Sequence, residues 1–118
     1  MSQDKEKVAG ELMKIFEKRL NDAPELAEGW GKAVQCVFTD IGIGYRFKFA
    51  MDGTIEKIEK KRASEIKPED AEATIHCKLD TLKDVVDGKL NAMEAMGMGL
   101  FKIEGKLEAL MKLAPAIF

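Results

Sequence analysis

The side chains able to do covalent or metal chemistry are few, and their spacing gives them no common task. His76 is the one histidine. It lies in a strictly alternating run in which Ala71, Ala73, Ile75, Cys77 and Leu79 share one face and Glu72, Thr74, His76 and Lys78 the other. No serine, cysteine or aspartate is arranged beside it as nucleophile or acid–base partner, so no catalytic residue is assigned and the chain is expected not to be an enzyme. Cys36 and Cys77 are too few for a disulfide framework or a four-ligand zinc set, so no metal or cofactor is expected and both read as buried, reduced thiols. Gly97, Gly99 and Gly105 lack the lysine–serine and strand–turn–helix context of a phosphate loop. Lys57, Lys60, Lys61 and Arg62 are interleaved with Glu56 and Glu59, the pattern of a solvated edge strand more than of a headgroup site. Trp30 reads as an anchor packing the N-terminal turn onto a sheet rather than as a bilayer contact.

What remains is the chemistry of apolar volume. Met93, Met96, Met98 and Met111 surround Gly97 and Gly99, and methionine, unbranched and polarizable, repacks around differently shaped neighbours. Periodicity alone is satisfied equally by a filled core and by one with a gap.

The elements that must position these residues follow from hydrophobic spacing. Val8, Leu12, Ile15, Phe16 and Leu20 recur at helical intervals between Asp4 and Leu20, and Pro24 opens a short turn running toward Trp30. Val34, Cys36 and Phe38, then Tyr45, Phe47, Phe49 and Met51, alternate as strands do, and Asp52-Gly53 predicts a two-residue hairpin turn. That turn sets Phe47 opposite Ile58 and Ala50 opposite Ile55. Ser64 to Asp70 is a polar crossover, Ala71 to Leu79 a fourth strand, and Asp80 or Thr81 caps a helix carrying Leu82, Val85 and Val86 that Gly88 closes. Asn91 with Glu94 predicts a capping box opening a turn through Met96, Gly99 to Gly105 a last strand, and Lys106 onward a helix presenting Leu107, Leu110, Met111 and Ala114 until Pro115 ends it.

That order, with Gly88, Lys89, Leu90, Ala95, Gly99, Lys102, Ile103, Gly105, Lys112 and Leu113 at their intervals, resembles the sterol carrier protein-2 family. The strand Ala71 to Leu79 is similar to its A-D-A-T-L-x-L segment. Ala92 stands where proline is usual, Met96 where phenylalanine is usual, Leu100 where lysine is common and Lys106 where an acidic residue is common. The resemblance implies a single α+β domain over residues 1–118, a five-stranded mixed sheet in the order 3-2-1-4-5 with helices packed over one face, and a lipid tunnel between them. It implies non-enzymatic binding and transfer of fatty acyl chains, acyl-CoA, phospholipid or sterol-like molecules. The alternative is an accessory module supporting a lipid- or isoprenoid-handling enzyme assembly. On this basis Phe38, Tyr45, Phe47, Phe49, Ile58, Ile75, Phe101 and Ile103 are the expected sheet side of the ligand site. Met93, Met96, Leu110 and Met111 are its expected helix side.

Composition is that of an ordinary globular domain: 46% of residues are hydrophobic and 34% charged, and the formal net charge is −2. That balance gives no electrostatic reason to expect nucleic acid as a partner. Uncharged runs such as 33–39 and 95–101 fall far short of the roughly 20 residues needed to span a bilayer, no secretory signal is visible, and the S-K-L address common in eukaryotic members is replaced by Ala116-Ile117-Phe118. A cytoplasmic protein making transient membrane contact is the resulting expectation. Oligomeric state is left open.

Overall fold

The computed structural model describes residues 2–118. Helix α1 (Ser2–Asn21) buries Ala9, Leu12, Met13, Phe16 and Leu20, whose i, i+3, i+4, i+7 spacing makes one stripe. Ile15, expected in that stripe, is 41% exposed. Adjacent helical residues are turned about 100° from one another, so with Phe16 inward Ile15 points away, and Ala9 and Met13 take the inner places.

Strands β1 (Ala33–Phe38), β2 (Ile43–Phe49) and β3 (Ile55–Arg62) form an antiparallel meander; β4 (Ala73–Cys77) joins β1 in parallel, and β5 (Lys102–Gly105) pairs antiparallel with β4. The sheet order is β3-β2-β1-β4-β5, as expected. Every residue of the central strand β1 is buried. Its Val34, Cys36 and Phe38 face the helices. Its other face is covered by the crossover: Gln35 Nε2 donates to Lys67 O and Thr74 Oγ1, both at 3.0 Å, and Ile66 packs over Gly44, where a Cβ would stand 2.7 Å from Ile66 Cγ1.

The hairpin departs from its expected register. Phe47 pairs with Ile58 as the spacing requires, but Phe49, not Ala50, pairs with Ile55 through an irregularity after Lys48. Among the described residues only glycines have positive φ, so Asp52 cannot join Gly53 in a primed two-residue turn. Instead Gly53 N donates to Ala50 O at 3.0 Å and Ala50 N to Thr54 O at 2.8 Å, a three-residue loop with Gly53 (φ +92) at its left-handed position. Asp52 Oδ1 accepts from Thr54 N and Thr54 Oγ1.

Helices α2 (Leu79–Val86), α3 (Ala92–Gly97) and α4 (Leu107–Ile117) complete the chain. The fourth strand stops at Cys77 because Leu79, fully buried, already starts α2. The α2 cap comes neither from Asp80 nor from Thr81: Leu79 N donates to Asp40 Oδ1 at 3.0 Å across the β1–β2 turn. Asn91 caps α3, accepting from Met93 N and Glu94 N, but the Glu94 side chain makes no return bond to Asn91 N, so the expected capping box is only half formed. Gly99 and Leu100 are not strand, since they close α3 with Gly99 N donating to Met96 O and Leu100 N to Ala95 O. Pro115 does not end α4; so near the terminus its missing N–H forfeits only the bond to the Met111 carbonyl, and the helix runs on to Ile117.

Candidate ligand-binding site

Helices α3 and α4 meet the inner face of β4 and β5 without closing on it. Between them runs an apolar groove of about 380 Å³ lined by Ile75, Ile103, Phe101, Ala92, Met93, Met96, Leu107, Leu110, Met111, Ala114, Pro115 and Phe118. Its volume lies inside the 300–1,000 Å³ range of small-molecule sites. Met93 and Met111 stand on its edges, 69% and 56% exposed. The predicted face of α4, Leu107, Leu110, Met111 and Ala114, therefore opens onto the groove with Leu107 and Met111 exposed, and the residues the helix buries are Ala109 and Leu113.

Behind the groove lies a second space of about 80 Å³, lined by Phe16 and Leu20 of α1, Val34, Gln35, Cys36, Phe47 and Ile75 of the sheet, Leu82 of α2, and Leu110, Leu113, Ala114, Ile117 and Phe118 of α4 and the residue after it. Ile75, Leu110, Ala114 and Phe118 border both spaces, so they are the partition between them. The last turn of α4 is tied to α1 by Arg19 Nη1, which donates to Ile117 O at 2.8 Å. The walls of this space are almost wholly apolar, which suits apolar guests.

Of the twelve residues expected at the site, Ile75, Met93, Met96, Phe101, Ile103, Leu110 and Met111 line the groove, and Phe47 lines the inner void. Phe38, Tyr45, Phe49 and Ile58 border neither space. Phe38 and Tyr45 stack edge-on with centroids 6.2 Å apart, Phe49 packs against Trp30 at 5.7 Å, and Ile58 is half-buried beside Phe47 on β3. This half of the sheet is filled. Phe16, Leu20 and Leu82 were not expected at the site; they belong to ordinary helical stripes, and nothing local distinguishes a stripe residue that borders a void. Met98 does not line the groove.

His76 is on the outer face as its alternation predicts, with Nε2 2.6 Å from Glu104 Oε1 but outside hydrogen-bond geometry. Among the described residues no cluster of three metal-ligating side chains exists. Cys36 and Cys77 are both buried and free; a hydrogen bond with the Cys77 thiol, and burial, push the Cys36 thiol well above its ordinary range, so it stays protonated. Burial also raises the Tyr45 phenol. On the edge strand, Lys60 is bonded to Glu6 of α1, which raises its ammonium, and Arg46 pairs with Glu59 at 3.0 Å. Among the described residues no helix is long and apolar enough to cross a membrane.

A model of the SCP-2 sterol transfer family matches residues 12–117. No curated protein matches the chain. Among solved structures, sterol carrier protein 2 is similar with 18% identity and a TM-score of 0.64 over 89% of this chain and 86% of that one. A ubiquinone synthesis protein, UbiJ-SCP2, is similar with 12% identity and a TM-score of 0.65 over 96% and 95%. A stereoselective inverting sec-alkylsulfatase from Pseudomonas sp. is similar with 19% identity and a TM-score of 0.62 over 80% of this chain. The chain spans only 14% of that enzyme. At such identities the likeness establishes the fold.

Proposed function

The chain belongs to the SCP-2 sterol transfer family, and we propose that it binds and transfers lipids without covalent chemistry, holding the hydrocarbon part in the groove between α3, α4 and the β4–β5 edge. The cargo is a fatty acyl chain, acyl-CoA, phospholipid or sterol-like molecule. The observation that supports this most is the pair of adjoining apolar spaces, of about 380 Å³ and about 80 Å³. A chain lying along Ile103, Phe101 and Met96 would reach the void by displacing the partition of Leu110, Ala114 and Phe118.

Each methylene buried contributes about 0.8 kcal/mol, so a long chain needs no strong polar contact to bind. A bilayer offers nearly the same gain, and the lipid therefore exchanges with membranes, which the carrier must meet transiently. Low selectivity follows from walls of Met93, Met96 and Met111, which adapt to differently shaped guests.

Mass spectrometry of organic extracts from gently purified protein, with displacement of a fluorescent fatty acid in solution, tests the proposal. Co-purified lipid and saturable, competable binding are expected. An empty protein that binds no probe would sink the carrier function and leave the accessory-module alternative.

A further inference from the structure

We propose that a second copy of this chain docks edge to edge on β5, in a two-fold antiparallel pairing centred on Ile103, and that the two grooves thereby close against each other into one apolar chamber. The chamber rests on the carrier function proposed above, whereas the pairing is measured independently of it.

The two edges of the sheet are built differently. On β3 the pairing is irregular after Lys48, and Lys57, Lys60, Lys61 and Arg62 follow closely on one strand. Side chains also occupy its free backbone groups: Ile55 N donates to Asn21 Oδ1 at 2.8 Å and Arg62 N to Glu65 Oε1 at 3.1 Å. Bulges, lysines and covering groups are the devices that keep strand edges from joining. The β5 ladder is regular from Ala73 opposite Gly105 to His76 opposite Lys102, and no side chain of the described residues caps it. Lys106 N donates to Glu72 O at 2.8 Å, which fixes the phase of the alternation. Lys102 and Glu104 therefore turn their backbone groups to β4, while Ile103 and Gly105 turn theirs out of the sheet.

Register and charge select a second copy as the occupant. With β5 paired to itself about Ile103, Lys102 of each copy stands opposite Glu104 of the other on the outer face, so opposite charges meet twice. On the inner face Ile103 meets Ile103, and the Phe101 ring meets Gly105, which has no side chain to obstruct it. Centring the pairing one residue earlier sets Lys102 against Lys102, and one residue later Glu104 against Glu104. Residues opposite one another share a face, so both copies carry their helices on the same side of a continuous sheet, and the two grooves adjoin.

That arrangement covers the exposed rim. Met93, Leu107 and Met111 on the groove, and Met98 and Leu100 before β5, are between 36% and 69% exposed. Taking about 200 Å² for a fully exposed large side chain, these five present on the order of 500 Å² of apolar surface. With the edge of β5 the face approaches the roughly 800 Å² that a stable pairing buries on each copy. The second copy supplies the wall that α3 and α4 leave missing. Paired copies shield the cargo from water, and separated copies open it to a membrane.

Sedimentation equilibrium of the full chain, with charge-reversed variants alone and mixed, tests the pairing. The native chain is expected to be a dimer. Lys102→Glu sets two glutamates against each other at both contacts, and Glu104→Lys two lysines. Each variant alone is expected to weaken the dimer about thirtyfold, with circular dichroism as in the native chain. An equal mixture of the two restores opposite charges at both contacts and is expected to dimerise as the native chain does. Should Glu104→Lys misfold, Glu104→Gln is expected to weaken the dimer about fivefold. A native chain that sediments as a monomer overturns the proposal, as does a dimer unmoved by Lys102→Glu or a mixture of folded variants that stays monomeric. Displacement of a fluorescent fatty acid tests the chamber: the monomeric variants are expected to bind about tenfold more weakly than the native dimer, and equal affinity would overturn the shared chamber. A native dimer that binds no fatty acid would refute the carrier function and leave the pairing standing.

Discussion

Ala114→Leu should make the protein more stable and a worse lipid binder. Ala114 borders both the groove and the inner void, and leucine adds about three methylene-sized groups there with almost no change in helix propensity. An unfilled cavity costs about 24 cal/mol per Å³, so occupying about 80 Å³ gains about 2 kcal/mol. The transfer scale agrees, since about three groups at about 0.8 kcal/mol each give about 2.4 kcal/mol. A lipid whose chain end occupies that void loses the same burial. Its affinity therefore falls about fiftyfold. Urea unfolding reads the first change and displacement of a fluorescent fatty acid the second. Higher stability with unchanged affinity would refute the argument that cargo reaches the void. Lower stability would show that the void does not admit the added carbons.

Gly105→Ala should destabilise by at least about 2 kcal/mol in urea unfolding, because Gly105 has φ +88 and an added Cβ would stand 2.4 Å from Glu72 O; a loss below about 0.5 kcal/mol would contradict that close approach. Stability should be full below the unfolded thiol pKa of about 8.5 and fall as pH rises above it, because the folded Cys36 thiol is raised and keeps a proton that the unfolded chain releases. Cys36→Ala should flatten that alkaline slope, and an unaltered slope would remove Cys36 as its source. Arg19→Met removes the donor to Ile117 O at 2.8 Å and should cost roughly 0.5–1.5 kcal/mol, with hydrogen exchange accelerating over residues 114–118. Unaltered exchange there would show that Arg19 does not hold the last turn.

What the sequence made legible is what local spacing encodes. The stripe of α1, the alternation of Tyr45, Phe47 and Phe49, and the Asn91 cap were all readable because each is a relation among neighbouring residues. The sheet order came from resemblance to a family, since periodicity does not say which strands pair. Asp40 capping α2 joins positions 39 residues apart, which no window along the chain contains. The hairpin register turned on the conformation of Asp52, a residue whose type allows either turn. The groove was legible in part, because Met93, Met96, Leu110 and Met111 cluster in sequence. Yet hydropathy ranks Leu107 with Leu113, and only the first is exposed. Spacing records which side of a helix is apolar and not whether anything lies opposite it.

The division between a filled and an unfilled half follows residue type along the sheet. Under α1 the inner face is aromatic, and Phe38 and Phe49 are fully buried. Rigid rings interlocked in this way have few alternative arrangements, and close-packed interiors resist partial displacement. Beside β4 and β5 the lining is mostly aliphatic, Ile75, Ile103 and Leu110 with Met93, Met96 and Met111, whose three rotatable side-chain bonds let them repack, and the rings Phe101 and Phe118 stand among these chains without stacking on another ring of the described residues. Exposed apolar surface there lowers the stability of the empty protein, a penalty that an apolar guest removes when it covers the same atoms. Binding energy and folding energy thus draw on one set of side chains, and the aromatic half must hold the fold while the methionine half stays open. A ring at Met96 or Met111 would exchange that adaptability for packing.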